Sequence, residues 1–280
     1  MTILINSQWV GSGCGHRYPI GAERIRQMLA SEELLIPDIS YVAGRDQVTQ
    51  GLRNLDQICN SLDVVEQALS DTKLTEPLFN LGSDCGGELI PVALLNAKYQ
   101  GNLRVIWFDA HPDLNTVETS GSHTFHGMVL RMLLGDIPQP LSKYLQVPLK
   151  PENVVLAGVR DIDSGEQECI DANKMTLLHP DALAKAPTQS VMEQLADAPV
   201  FVHVDYDVLD PERHSNTAFG AKNGVALDDL LSWLSFIRST FNVVGYGLTE
   251  FAPSSALSDD TDLQHILRDG FGLNLSSTYR

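Results

Sequence analysis

Two patterns alternate along this chain. Short apolar, β-rich runs occur at Thr2–Asn6, Leu78–Leu81, Leu103–Phe108, Val154–Gly158, Val200–Val204 and Val243–Leu248. Between them lie stretches that repeat apolar positions at helical spacing. These are Ala22–Leu35, Gln47–Leu69, Gly87–Tyr99, Phe125–Leu134, Gly165–Ala172, Val191–Ala196, Ala226–Phe241 and Leu263–Phe271. Near-continuous apolar strands are buried on both faces, and their alternation with helices predicts a mostly parallel sheet covered on each side. The expected fold class is α/β, a three-layer α/β/α arrangement around a mostly parallel central sheet. No internal repeat or low-complexity linker divides the chain, so residues 1–280 read as one domain. Ile137–Pro151, with prolines at 138, 140, 148 and 151, is the expected long loop.

Two of the predicted strands run into clusters of carboxylates, and open parallel sheets bind ligands at the carboxyl ends of their strands. One cluster is Asp109-Ala110-His111-Pro112-Asp113, after Leu103–Phe108; the other is Asp205-Tyr206-Asp207-Val208-Leu209-Asp210-Pro211, after Val200–Val204. On an extended segment, positions i, i+2 and i+4 point the same way, so Asp109, His111 and Asp113 converge, as do Asp205 and Asp207. Uncompensated buried charge is very costly, and a pair of divalent cations is the simplest neutraliser. Carboxylates with imidazole suit Mn²⁺ and also accept Zn²⁺ or Fe²⁺. Two such ions about 3.5–4 Å apart form the usual two-metal hydrolytic centre. Either acidic run alone would read as loop acids capping a helix; both together, each closing a buried strand, favour a metal site.

Composition narrows the function further. Of 280 residues, 36 are acidic and 19 basic, a net charge of −17 that leaves no basic face for nucleic acid. The four cysteines, Cys14, Cys59, Cys85 and Cys169, form no CxxC pair, which argues against a zinc ribbon or a disulfide scaffold. No secretory segment opens the chain and no apolar stretch reaches membrane-span length, so a reduced, cytoplasmic protein without a membrane partner is expected.

The motifs resemble those of the ureohydrolase superfamily of arginases and agmatinases. Asp109–Asp113 is similar to its DAHxD run and Asp205–Pro211 to its DxDxxDP run. Gly82-Ser83-Asp84-Cys85-Gly86 stands where the family has GGDHS, Gly158–Glu166 resembles its GLRDxDxGE run, and Thr249-Glu250-Phe251-Ala252-Pro253 its last strand end. The resemblance spans roughly residues 80–253. It implies an arginase-like fold and a dimanganese centre, with one ion held by Cys85, Asp109, Asp113 and Asp205 and the other by Asp109, His111, Asp205 and Asp207. It also implies attack of metal-activated water on a guanidinium carbon. Asp113 would accept a hydrogen bond from that water, Glu250 would face the guanidinium, and His126, thirteen residues after Asp113, would shuttle a proton to the leaving amine. His123 is a nearby competitor for that role, while His214 reads as exposed.

The family's first ligand is His, and here it is Cys85. A thiolate adds negative charge, makes the bound water less acidic and shifts preference toward Zn²⁺ or Fe²⁺. Asn115, Ser120 and Ser122 match the positions at which arginases bind the substrate carboxylate, and Asp163 with Glu166 those on the amino side. An arginine-type amino acid, cleaved to urea and an amine, is the expected substrate. A branch acting on Nω-hydroxyarginine is similar in its Cys but lacks the His-Gly pair kept here as His126-Gly127; agmatine-type guanidines are a further alternative. A non-catalytic guanidino-compound binder and a metal-dependent deacetylase complete the competing classes, the latter disfavoured because no tandem His pair occurs. The resemblance also admits a homo-oligomer, although the tail Leu273–Arg280 is short for elaborate interlocking.

Overall fold

The computed structural model describes residues 1–15, 17–30, 33–42, 46–255 and 258–279. Among these, the strands are β1 (Thr2–Ile5), β2 (Leu34–Leu35), β3 (Val48–Thr49), β4 (Leu52–Arg53), β5 (Leu78–Leu81), β6 (Arg104–Phe108), β7 (Val154–Ala157), β8 (Thr176–Leu178), β9 (Pro199–Asp205) and β10 (Asn242–Thr249). The helices are α1 (Arg17–Met28), α2 (Leu55–Ser70), α3 (Leu89–Lys98), α4 (Val129–Leu133), α5 (Ser164–Asn173), α6 (Pro180–Leu183), α7 (Gln189–Leu195), α8 (Leu227–Thr240) and α9 (Thr261–His265), which continues as a π-helical turn, Ile266–Gly270.

Eight strands form one sheet in the order β2-β1-β5-β10-β9-β6-β7-β8, every pair parallel. Alternate residues of β6, β7 and β9 enter opposite cores. Val105, Trp107, Leu156 and Phe201 pack with α2 and α3 on one face; Ile106, Phe108, Val155, Val202 and Val204 pack with α1 and α8 on the other. This is the three-layer arrangement expected from the apolar runs. The order places β10 and β9 between β5 and β6, so four carboxyl ends from distant parts of the chain meet at the middle of the sheet.

Three expected elements change. Gln47–Leu69 is a hairpin, β3 paired antiparallel with β4, followed by α2. Gln50 and Gly51, with φ of 52° and 77°, form the two-residue turn with left-handed central residues that hairpins favour. The helix expected over Ala22–Leu35 begins at Arg17 and ends at Met28, and Leu34–Leu35 joins the sheet edge instead; residues 31 and 32 of that expectation, like Arg280 of the tail, lie outside the described residues. Finally, Thr176–Leu178 adds an edge strand that is too short to stand out by pattern. Ile137–Pro151 contains one 3-10 turn, Leu141–Tyr144, and ends at the start of a second, Pro151–Asn153.

Candidate active site

The segments that follow β5, β6, β9 and β10 carry the candidate residues. After β5 the chain enters a 3-10 turn, Cys85–Glu88, that leads into α3. After β6, Asp109 keeps sheet pairing through its N–H to the Ala157 carbonyl at 3.0 Å. Asp205 ends β9, and Glu250 follows β10. Asp113 and Glu250 hold φ of 53° and 59°, a conformation that non-glycine residues rarely adopt and that collects at functional sites.

Two groups of donors assemble, and they share Asp109. In one, donor atoms of Cys85, Asp109, His203 and Asp205 all lie within 4.8 Å of one another; in the other, those of Asp109, His111 and Asp207 do. Cys85 Sγ is 2.9 Å from Asp205 Oδ2, and His111 Nδ1 is 3.1 Å from Asp207 Oδ2 and 3.5 Å from Asp109 Oδ1. Backbone N–H groups fix the carboxylates: Ala110 donates to Asp207 Oδ1, His111 to Asp109 Oδ1 and Asp207 to Asp205 Oδ1. Asp113 falls outside both groups. It is buried beside them, and its Oδ2 has no hydrogen-bond partner.

The electrostatics fit a cation centre. Burial, then repulsion from neighbouring carboxylates, pushes Asp113 and Asp205 well above the usual carboxylate range; burial and Asp205 do the same to the Cys85 thiol. Burial opposes the charge on His111, but Asp207 and Asp109 outweigh it and lift the imidazole to about 12. The cluster thus holds cationic character tightly while resisting ionisation of Asp113 and Asp205; against the effect of burial, the shared Asp109 is instead held below the usual carboxylate range by His111 and His203. A divalent ion supplies that charge in more concentrated form than a proton.

Above the donors lies a cavity of about 270 Å³. His126 and Glu250 line it, with His126 Nδ1 3.2 Å from Glu250 Oε1. Glu250 is further held by the Tyr18 hydroxyl and by the Cys85 N–H at 3.2 Å. Phe219 packs its ring 4.7 Å from that of His126 and closes one wall. On the outer side, Asn115 Nδ2 donates to Asp163 Oδ2 at 2.9 Å and Asn115 Oδ1 accepts from Thr119. Ser120 and Ser122 sit 3.3 Å apart by their hydroxyls at the rim. Glu166 lines the same side, but both its oxygens accept backbone N–H groups, from Leu114 and Asp163. Burial pushes its carboxyl up to about 7 in spite of those bonds. A larger hollow of about 700 Å³ opens beside α7 at the amino ends of β9 and β10. It contains neither donor group, so size does not mark the site here.

A sequence profile of the arginase family matches residues 20–265. The chain belongs to the arginase family. Its homologues are hydrolases acting on guanidino or amidino groups, so the enzyme class read from the motifs holds. Family proteins bind a binuclear metal centre, in keeping with two donor groups joined by one aspartate. The arginase of Staphylococcus aureus (strain MRSA252) is 31% identical over 212 residues, 72% of this chain and 70% of that protein. The structure is similar to that of Entamoeba histolytica arginase in complex with L-ornithine, with a TM-score of 0.84, 22% identity and 97% of each chain covered. It is also similar to the proclavaminate amidino hydrolase of Streptomyces clavuligerus, with a TM-score of 0.57, 22% identity, and 76% of this chain and 68% of that one covered.

Several residues of this arginase-family site were not singled out from the sequence. Tyr18 holds Glu250 from a helix 232 residues away, a pairing no local motif signals. Arg160, inside the Gly158–Glu166 run, bonds the carbonyls of Gly158, Asp207, Val208, Leu209 and Ala221 and so ties the loop after β9 to the sheet. His203 and Glu88 stand behind Cys85 and pair with each other. His123 spends Nδ1 on the Gly51 carbonyl of the hairpin. His214, expected to be exposed, is instead largely buried and paired with Asp262. Among the described residues no helix is long and apolar enough to cross a membrane.

Proposed function

We propose that this chain hydrolyses the guanidino group of an arginine-type amino acid, releasing urea and an amine. The observation that carries the reading is the stacking of three layers in one place: two donor groups sharing Asp109, a His126–Glu250 pair above them, and neutral plus acidic groups at the rim. The donors fit two divalent ions held by Cys85, Asp109, His111, Asp113, Asp205 and Asp207, Mn²⁺ by resemblance and Zn²⁺ or Fe²⁺ by the softness of sulfur. When bound, such a pair lowers the pKa of water and polarises the substrate. Asp113, with a free buried oxygen facing the cavity, accepts a proton or hydrogen bond from the attacking water. Glu250, fixed by Tyr18, offers negative charge to the guanidinium, and His126 carries the proton that the departing amine requires. Among the described residues no Lys or Arg lines the cavity, so an α-carboxylate is met by the amide of Asn115 and the hydroxyls of Ser120 and Ser122, and the α-amino group by Asp163 and Glu166.

The likeness to an arginase that binds L-ornithine supports this substrate class. Cys85 at the first ligand position favours Nω-hydroxyarginine as the second reading, with hydroxyurea as product. The four free cysteines support a reduced, cytoplasmic setting, and a sheet built from both ends of the chain supports one domain over 1–280. The test is a panel of L-arginine, Nω-hydroxy-L-arginine, agmatine and 4-guanidinobutyrate with protein loaded with Mn²⁺, Zn²⁺ or Fe²⁺. Highest kcat/KM on an amino acid is expected. Preference for agmatine would overturn the substrate assignment, and no turnover with any of the four would leave a binder.

A further inference from the structure

We propose that His203 is a protein ligand of the ion held by Cys85, Asp109 and Asp205, and that Glu88 is the positioning carboxylate that orients it. This builds on the metal centre proposed above and adds a donor that lies in neither acidic motif.

His203 sits inside β9, fully buried, and its two ring nitrogens face different partners. Nδ1 lies 3.3 Å from Glu88 Oε1. Nε2 lies 3.8 Å from Asp109 Oδ2 and 3.9 Å from Cys85 Sγ. The last two separations are too long for good hydrogen bonds. They lie a few tenths of an ångström beyond the spacing of two donors sharing one ion, about 3.3–3.6 Å when bonds of 2.0–2.3 Å meet at tetrahedral angles, so a small side-chain movement brings both donors onto one ion. An imidazole that donates Nδ1–H to a carboxylate presents its lone pair at Nε2, the arrangement by which metal-bound histidines are usually oriented.

The surroundings fix this orientation. His203 pairs in register with Trp107 on β6, and the two rings stack at 3.5 Å and 15°. On its other side the register partner is Gly247 of β10. A Cβ at Gly247 would stand 1.6 Å from Glu88 Oε1, so the absent side chain is what admits the carboxylate. The alternative is a buried imidazolium bridging Glu88 and Asp109. That needs a hydrogen bond to Asp109 Oδ2, and at 3.8 Å His203 Nε2 stands too far from it, while Trp107 Nε1 donates to the same oxygen at 3.0 Å. A thiolate, an imidazole and two carboxylates form a four-donor set suited to Zn²⁺ or Fe²⁺.

The test uses metal-free full-length protein titrated with Zn²⁺ and Co²⁺, with metal content and cobalt absorption as readouts. Wild type is expected to take up two ions and to show a thiolate-to-cobalt charge-transfer band. His203→Ala and the milder His203→Gln should lose one ion, or bind it at least ~100-fold more weakly, with altered cobalt d–d bands. Glu88→Gln should keep the charge-transfer band and weaken the same ion about 10–100-fold. Folded His203 variants with two ions, wild-type affinities and an unchanged spectrum would overturn the proposal, even if their Tm fell, because a buried ion pair predicts that result. Should both His203 variants fail to fold, unchanged affinity in Glu88→Gln overturns it. Altered metal binding without turnover of any guanidino compound would sink the substrate reading and leave this one standing. A wild type that binds no divalent ion would sink both.

Discussion

The pairing of His126 with Glu250 sets the protonation chemistry of the cavity. Burial opposes the charge on His126, but the Glu250 carboxylate outweighs it and raises the imidazole above its ordinary value of 6.5. A folded-state value raised in this way gives stability that is complete below pH 6.5 and is lost as pH rises through the raised value. NMR titration of His126 should therefore give a pKa above that of a free imidazole in wild type and a lower one in Glu250→Gln; equal values would remove the pairing. His126→Asn should lower kcat about 100-fold or more if it carries the proton, with KM far less affected. A proportionate rise in KM alone would make it a binding residue. Of the site, the acidic ligands were legible in sequence because their spacing at strand ends is itself the signal. Tyr18 and Glu88 were not, since each meets its partner only through tertiary packing.

At the scale of elements, the legible strands were those buried on both faces, where unbroken apolar runs leave little choice of structure. The hairpin was not legible because Val48, Leu52 and Leu55 fall at i, i+4 and i+7 and imitate a helix face. Its turn is held by Gly51, where φ is 77° and a Cβ would stand 2.7 Å from that of Val117. Gly51→Ala should cost about 1–2 kcal/mol in urea unfolding, from left-handed backbone and contact together. His203 reads in sequence as an interruption of an apolar strand; its meaning needs the register that sets it between Trp107 and Gly247. Gly247→Ala should destabilise by about 1–3 kcal/mol through overpacking. The double variant with Glu88→Ala should recover part of that loss, and strict additivity would show that the two positions do not touch.

For the whole molecule, the concentration of buried acids at one end of the sheet links metal binding to stability. An ion present at a hundred times its Kd adds about 2.7 kcal/mol per site, so chelation should lower Tm by about 5 °C or more. An unchanged Tm after verified metal removal would argue against occupied sites. The net charge of −17 gives the surface a field that draws cationic substrates. For L-arginine, kcat/KM should fall as ionic strength rises while kcat stays level, and a flat salt profile would exclude steering.

The strand order has a temporal consequence. β10 lies between β5 and β9, and Glu250 meets the Cys85 N–H across 165 residues of chain. Contacts of such long range are closed late and slowly. A polypeptide still lacking its last strand therefore has all six motif ligands yet no finished cage around them. High-affinity ion capture then becomes a clock for the final insertion event. In refolding experiments it should lag behind the gain of helical signal, marking the moment at which the centre of the sheet is filled.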